Sequence, residues 1–554
     1  MIYPAFQKPE ITGWIDFSPS EIEINGFDSD YAGLILNKCI CNSCKGHKLY
    51  INIAKEKSRR LEYIEEARRL SGEKYIITSE KNAENLVLTV TVSCREGLFR
   101  AVNRTVQMIK DKKFFIGTVT DYPLFAVRGY IEGFYGKPWS HENRRMMLEL
   151  MSFHGMNTYY YAPKDDPYHR DKWSELYPEN ELSALSELAV LCREKFVKFH
   201  YCIAPGLSMK YSSEEDFDKL ICKAEQLYSI GIRNFGLLVD DIPEDLWFDE
   251  DKAAFDGEAV NAHIDLSDKF RNYLKEKDDK CTLTVCPLQY HGRGDEYYIS
   301  KLGQGISGDI DIFWTGKNIC SQEITVREAV IFENSTNRQP LYWDNFPVND
   351  AEMYNEMHTG YLNGREADLY RYSRGIVSNT MEYALSSRIP LLTVCDYLWN
   401  PVSYDGFESW QKACKIILGE EKELFMPLLD NLLTSCLKVE NSPMLNETLN
   451  LAQQQFFAGD ILGAVATVST YIASLEKCCT TLETLDNPMV TELEPWLEKQ
   501  KTALELIKST LAIFADNSEN NKNITAEILK KYLANPRTLC DFSLQAFAER
   551  MLTL

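Results

Sequence analysis

Apolar and polar positions change rhythm three times along the chain. Near the start, Leu86-Val87-Leu88-Thr89-Val90-Thr91-Val92 alternates with a period of two, the signature of a strand with one face buried. Residues 49–53 read the same way, and charged stretches at 58–69 and 97–109 carry helical spacing. Residues 1–120 are therefore expected to form a small α+β domain. From 121 to 404 short apolar runs alternate with amphipathic stretches. Strands are predicted at 125–131, 157–162, 198–204, 234–239, 283–287, 310–314, 340–343 and 375–378. Helices are predicted between them at 142–153, 181–195, 214–230 and 261–275. Repeated strand–helix units over this length predict a (β/α)8 TIM-type barrel within an α/β fold. An open doubly wound sheet is the alternative, but no Gly-x-Gly-x-x-Gly opens a helix after the first strand. From 405 to 554 apolar residues recur every three or four positions, across 424–437, 445–457, 461–475 and 491–515, which predicts a C-terminal helical bundle. Residues 516–522 read as a mobile loop and 524–554 as a last helical hairpin.

One run stands out by the way it ends. Asn234-Phe235-Gly236-Leu237-Leu238-Val239 stops at Asp240-Asp241, with Pro243 just beyond. On a regular strand neighbouring side chains point to opposite faces, so two adjacent aspartates share a pocket only where the strand gives way to a loop. The C-terminal ends of barrel strands are where such a fold places its chemistry. An Asx-type turn or a helix cap is the plainer reading of the same residues.

The other strand ends have a common composition. Gly133-Phe134-Tyr135-Gly136-Lys137-Pro138-Trp139 follows the first, Pro163-Lys164-Asp165-Asp166 the second, and Gln289-Tyr290 the fifth. Trp314-Thr315-Gly316 follows the sixth and Trp343-Asp344-Asn345 the seventh, while the eighth ends at Asn379. Aromatic rings stack on the apolar face of a pyranose, and carboxylates and amides bond its hydroxyls. Loops at a barrel mouth are polar in any case, and their aromatics also cover the rim. It is the convergence of several such loops that favours a sugar site.

Charge and cysteine content narrow the field. A net charge of −22 argues against nucleic acid or an anionic membrane as partner, because both need clustered Lys and Arg. The first eight residues, Met1 to Lys8, show no basic and apolar leader, and no window is apolar enough to span a bilayer, so a cytoplasmic location is expected. Sixteen cysteines in 554 residues, many within apolar runs, fit buried free thiols rather than a disulfide framework. The cluster Cys39, Cys41, Cys44 and His47 has soft ligands, yet no second ligand pair follows nearby, so loop thiols are favoured over zinc. The eight histidines form no His-x-x-x-His pair, and no Gly-x-Ser-x-Gly elbow occurs. No metal and no cofactor are expected.

Adjacent aspartates do not easily straddle a glycosidic bond as the usual pair of carboxylates does. They suit substrate-assisted catalysis, in which the 2-acetamido oxygen attacks the anomeric carbon to give an oxazoline. One aspartate then orients the acetamide N–H while its neighbour acts as acid and later as base. Two like charges side by side also separate their pKa values, so one can stay protonated near neutrality.

Taken together, Gly129-Tyr130-Ile131-Glu132-Gly133-Phe134-Tyr135-Gly136-Lys137-Pro138-Trp139, Tyr161-Ala162-Pro163-Lys164-Asp165-Asp166, Val239-Asp240-Asp241-Ile242, Trp314-Thr315-Gly316 and Trp343-Asp344-Asn345 strongly resemble glycoside hydrolase family 84. This is the O-GlcNAcase family of β-N-acetylglucosaminidases. The resemblance covers about 122–400 in order, and the stretch before Asp121-Tyr122-Pro123 is similar to that family's N-terminal domain. It implies Asp240 as the acetamide-orienting group and Asp241 as the acid/base. It places Tyr290, Trp343 and Asn345 around the acetamide and anomeric end, and Gly133, Lys164, Asp350 and Asn379 at the sugar hydroxyls. It implies an N-acetylglucosaminyl glycoside or glycoprotein as substrate, and a helical region that borders the cleft or carries homo-oligomer contacts. Val239 stands where family members often have phenylalanine, and Ala351 where tyrosine is common. Residues 317–320 align loosely and receive no role. Two rival readings are a hexosaminidase of glycan polymers such as hyaluronan fragments, and a barrel that binds N-acetylglucosaminyl groups without turnover.

Overall fold

A computed structural model describes residues 2–39, 47–56, 72–540 and 542–553. Cys41 and Cys44 of the cysteine cluster, and the helical stretch expected at 58–69, lie outside the described residues. The first part of the chain is a six-stranded mixed sheet of β1 (Lys8–Asp16), β2 (Glu21–Gly26), β3 (Lys48–Lys55), β4 (Tyr75–Asn82), β5 (Asn85–Val92) and β6 (Lys113–Asp121), in the order β1-β6-β4-β5-β3-β2. Only β3 and β5 stand out in the sequence. The edge strand β1 reads Lys-Pro-Glu-Ile-Thr-Gly-Trp-Ile-Asp and is largely exposed, so it lacks the apolar run that announces a buried strand. One face of the sheet packs under the helix Arg95–Asp111, whose apolar side joins Leu88, Val90, Phe114 and Val119 in a separate core.

Eight parallel strands then close a barrel: β7 (Val127–Glu132), β8 (Thr158–Tyr161), β9 (Lys198–Ile203), β10 (Asn234–Leu238), β11 (Thr282–Cys286), β12 (Asp311–Trp314), β13 (Leu341–Asp344) and β14 (Gly375–Asn379). Closure excludes the doubly wound alternative. The strands are buried on both faces, which explains their continuous apolar runs. Ile131, Tyr160, Leu238, Phe313, Leu341 and Val377 fill the interior, so the barrel is a packed core and not a pore. Its seam, β14 against β7, needs glycine: Gly375 has φ +142°, and a Cβ there would sit 2.0 Å from the Val127 carbonyl oxygen. Helices cross back between strands, several of them with side-chain caps such as Ser140, whose hydroxyl accepts from the Asn143 amide at 3.1 Å.

A buried ion network joins the sheet to the floor of the barrel. Glu73 accepts from Arg128 of β7 at 2.5 Å and from Arg100 of the sheet-covering helix at 3.0 Å. The rest of the two guanidinium groups bonds the carbonyls of Gly155, Phe125 and Ser152 at 2.7–2.8 Å.

Beyond the barrel the chain is helical. Two expectations fail there. The helix predicted over 424–437 is Lys422–Asp430; its last turn tightens to bonds between residues three apart, and Thr359 then takes the Leu432 carbonyl from outside. Leu432, Leu433 and Leu437 keep their burial without helical structure. The loop expected at 516–522 is a short corner, because Ser518 caps a helix that begins at Glu519. The longest helix, Pro488–Ala515, packs on the barrel helix Ala384–Trp399, and its Glu492 accepts the amides of Leu385 and Ser386 at 3.0 and 2.7 Å. Further along, Trp496, Arg537 and Thr538 bond the carbonyls of Asn355, Tyr354 and Asn355, so the bundle grips the loop that follows β13. Among the described residues no helix is long and apolar enough to cross a membrane.

Candidate active site

At the C-terminal ends of the strands lies a cavity of about 710 Å³. All nine candidate residues line it: Gly133, Lys164, Asp240, Asp241, Tyr290, Trp343, Asn345, Asp350 and Asn379. The aspartate pair meets there because of a backbone turn. Strand β10 ends at Leu238; Val239 still donates to the Cys286 carbonyl at 3.0 Å, and Asp241 then takes the left-handed conformation, φ 53°. A short polar side chain tolerates that conformation at modest cost. Both carboxyls therefore face the same cavity, where a continued strand would have parted them.

The two carboxyls have different surroundings. Asp240 is buried and its Oδ2 accepts from Lys164 Nζ at 2.8 Å. Burial works to raise this carboxyl, but the charge and hydrogen bond of Lys164 prevail and hold it below the ordinary carboxylate range. Lys164 is likewise lowered by burial and lifted, with a larger net effect, by Asp240 and Tyr135. The other Asp240 oxygen, Oδ1, is buried and has no partner, a costly state for an ionised acceptor unless a ligand supplies the donor. Asp241 is more open, with 32% of its side chain exposed against 7% for Asp240. Its two oxygens accept from phenols: Tyr290 at 3.0 Å and Tyr135 at 2.8 Å. Arg170 donates to the Tyr135 hydroxyl at 2.9 Å and to the Asp241 carbonyl at 3.3 Å, so it pins the left-handed turn.

A second group of residues forms the opposite wall. Asn345 Oδ1 accepts from Trp343 Nε1 at 2.9 Å and from Asn379 Nδ2 at 3.0 Å. Asn379 Oδ1 in turn accepts the Gly133 amide at 3.2 Å. Glycine is needed at 133, because a Cβ would lie 2.6 Å from the Trp343 ring. The Tyr135 amide donates to Asp350 at 2.8 Å, and burial lifts the Asp350 carboxyl above its usual range. The wall is completed by residues that sequence reasoning passed over: Tyr135 within a motif already singled out, Asn318, Ile319 and Cys320 in the loosely aligned loop, and His291, Glu352 and Met353. Arg170 carries no sequence signal beyond its place after the second strand. Ala351, where tyrosine is common in the resembling family, lines the cavity, whereas Val239 is buried in the core.

Four motif carboxylates, Glu132, Asp165, Asp166 and Asp344, do not line the cavity. Glu132 is tied to Arg144, Trp139 and Tyr159 on both oxygens, and Asp344 forms a buried two-pronged pair with Arg365 at 2.6 and 2.8 Å. Among the described residues no group of three or more His, Cys, Asp or Glu is placed to hold a metal ion.

The sequence profile of the beta-N-acetylglucosaminidase family matches residues 128–430, more than half of the chain. The chain belongs to this family. Within it, the mouse and rat proteins named Protein O-GlcNAcase are each 30% identical over 291 residues. That match covers 51% of this chain but 30% of theirs, so the chain spans less than a third of the length of these curated relatives. The O-GlcNAc hydrolase of Thermobaculum terrenum, solved as an aspartate-to-asparagine mutant, superposes with a TM-score of 0.73 at 31% identity, over 77% of this chain and 95% of that one. The structure of CpGH84B superposes with a TM-score of 0.84 at 26% identity, over the whole of both chains. The family match ends at Asp430, whereas the second superposition includes the C-terminal helices.

Proposed function

We propose that this β-N-acetylglucosaminidase family member is a retaining glycosidase that removes terminal β-linked N-acetylglucosamine with the help of the substrate's own acetamide. The observation that carries the reading is the buried, unpartnered Oδ1 of Asp240 beside the more open carboxyl of Asp241. With Asp240 held ionised by Lys164, Oδ1 accepts the acetamide N–H and sharpens the carbonyl oxygen as a nucleophile. That oxygen attacks the anomeric carbon, the glycosidic bond breaks, and Asp241 gives its proton to the departing oxygen. The oxazoline is then opened by water, from which Asp241 takes a proton back, with overall retention. Trp343, Asn345 and Asn379, bonded to one another, form a wall for the sugar to pack against. Gly133 keeps that wall close.

A glycosylated protein as aglycone is the finer part of the proposal. It draws on the names of the relatives, Protein O-GlcNAcase and O-GlcNAc hydrolase, and on a cavity whose lining includes the exposed side chains of Tyr135 and His291. Self-association is proposed through the C-terminal helices, where Leu451, Phe457, Ile461 and Leu462 are exposed; sedimentation of the whole chain reads it.

A chromogenic β-N-acetylglucosaminide is the direct test, and a folded protein without hydrolysis would overturn the enzyme reading in favour of a binding barrel. The role of Asp241 is read from leaving groups. Asp241→Asn is expected to lose far more activity on an alkyl glycoside than on a nitrophenyl one, because acid help matters least when the leaving group is already good. Equal losses would show that another residue is the acid. A substrate whose acetamide lacks the carbonyl oxygen should not turn over; normal turnover would rule out substrate assistance.

A further inference from the structure

The cavity wall between β12 and β13 carries a feature that the proposed reaction does not use. Cys320, on the loop after β12, lines the cavity. Cys436 reaches it from the segment that follows helix Lys422–Asp430, and the two thiols lie close enough to interact. Both are half-buried. Cys436 Sγ donates to the Asn345 carbonyl at 3.4 Å, while Asn345 Nδ2 donates to the carbonyl of Ile319, next to Cys320, at 2.9 Å. A closed ring of contacts thus joins the β12 loop, Asn345 and the C-terminal region. Asn345 is also the hub that holds Trp343 and Asn379.

We propose that Cys320 and Cys436 are a thiol modification site, a dithiol that low-molecular-weight disulfides convert into an intramolecular disulfide at the edge of the cavity. Cys320 is the attacking group. It is the one of the two that lines the cavity, and its neighbour Cys436 holds its thiol below the ordinary range against the opposing effect of burial, whereas Cys436 is pushed up by Cys320 and by its own burial. The Cys320 thiolate attacks one sulfur of the small disulfide, breaks its S–S bond and releases one small thiol. Cys436 then gives its proton to solvent and attacks the Cys320 sulfur of the mixed disulfide, forming the internal S–S bond and releasing the second small thiol. The protein thiols lose two electrons, and the small disulfide gains them. Once closed, Cys436 has no proton to give the Asn345 carbonyl, and the β12 loop is tethered to the C-terminal region. Displacement of Asn345 would then disturb the wall that the sugar is proposed to meet.

The test uses the whole chain, treated with glutathione disulfide, blocked with iodoacetamide and mapped without reduction. Tryptic peptides 318–327 and 423–438 carry the two cysteines, and they are expected as one linked species. In Cys436→Ser the reaction should stop at glutathione on Cys320. Failure to find the linked species while the exposed Cys222 takes up glutathione overturns the site. The kinetic arm rests on the proposed hydrolysis: kcat/KM is expected to fall about tenfold on oxidation, since small misplacements at an active site are costly, and to return with dithiothreitol. The ratio of oxidised to reduced activity should approach unity in Cys320→Ser, which can form neither the adduct nor the disulfide. A linked peptide with unchanged kcat/KM would overturn the coupling to the cavity. If the untreated chain shows no hydrolysis, the proposed function fails while the peptide map still decides the site.

Discussion

The two ends of the barrel bury charge with different partners: two guanidinium groups on one oxygen of Glu73 at the floor, a single ammonium on Asp240 at the mouth. At the floor, Glu73 lies between Arg128 and Arg100, and the guanidinium groups direct their remaining donors to the carbonyls of Gly155, Phe125 and Ser152. At the mouth, Asp240 also has a buried cation, Lys164, but one of its oxygens is left without a donor. Glu132, at the end of β7, shows the filled case at the mouth, a carboxylate with both oxygens taken. Glu132, with both oxygens taken, is part of the frame, and so is Glu73, whose single oxygen Oε1 binds two guanidinium groups; Asp240, with a buried open oxygen on a residue that lines the cavity, is poised for a ligand. Charge and burial alone do not separate the two.

The contrast is broken most strongly at the floor. Glu73→Ala leaves two buried guanidinium groups without their shared anion, and loss of one partner from such a network costs about 3–5 kcal/mol. Chemical denaturation is expected to show that loss, while kcat per folded molecule stays close to wild type because Glu73 is on the far side of the barrel from the cavity. A fall in kcat as large as the fall in stability would mean that the two ends are not separable.

The matching change at the mouth is Lys164→Met. Without its cation, the Asp240 carboxyl keeps the burial that raises it and loses the partner that lowers it. Its pKa therefore rises, and the ionised form needed to accept the acetamide N–H survives only at higher pH. The acidic limb of kcat/KM should move upward in pH, with a loss of about 10²-fold at neutrality from the missing electrostatic preorganisation. An acidic limb at its wild-type position would show that Lys164 does not control Asp240.

These contrasts also mark what could be read from the sequence. The barrel, the Asp240–Asp241 pair and the glycine at 133 were legible because each rests on short-range pattern: apolar runs, a run that stops at a breaker, a motif at a strand end. The edge strand β1 was not, since an exposed edge needs no apolar run. Nor was the end of helix Lys422–Asp430, because the leucines beyond it are buried by tertiary contacts from Thr359 and its neighbours, not by helical periodicity. The pairing of Glu73 with Arg128 joins residues 55 positions apart, and spacing of that kind leaves no local trace. Arg170 and Cys436 escaped for the same reason: each acts on the site through a partner that only the fold brings near.

The smallest expected effect concerns Tyr135, where the mouth is most open. Its hydroxyl links Arg170 to Asp241, but the residue is 42% exposed, so water can replace much of what the phenol supplies. Tyr135→Phe is expected to cost about 1 kcal/mol, roughly fivefold in kcat/KM, the scale of a single hydrogen bond to a charged group discounted for solvent. The loss should be larger for poor leaving groups than for good ones, because a less firmly held Asp241 matters only where its proton is needed. A Tyr135→Phe enzyme that loses about fiftyfold on every substrate, well beyond that scale, would place Tyr135 with the buried set, and the division between a filled frame and an open mouth would have to be redrawn at that residue.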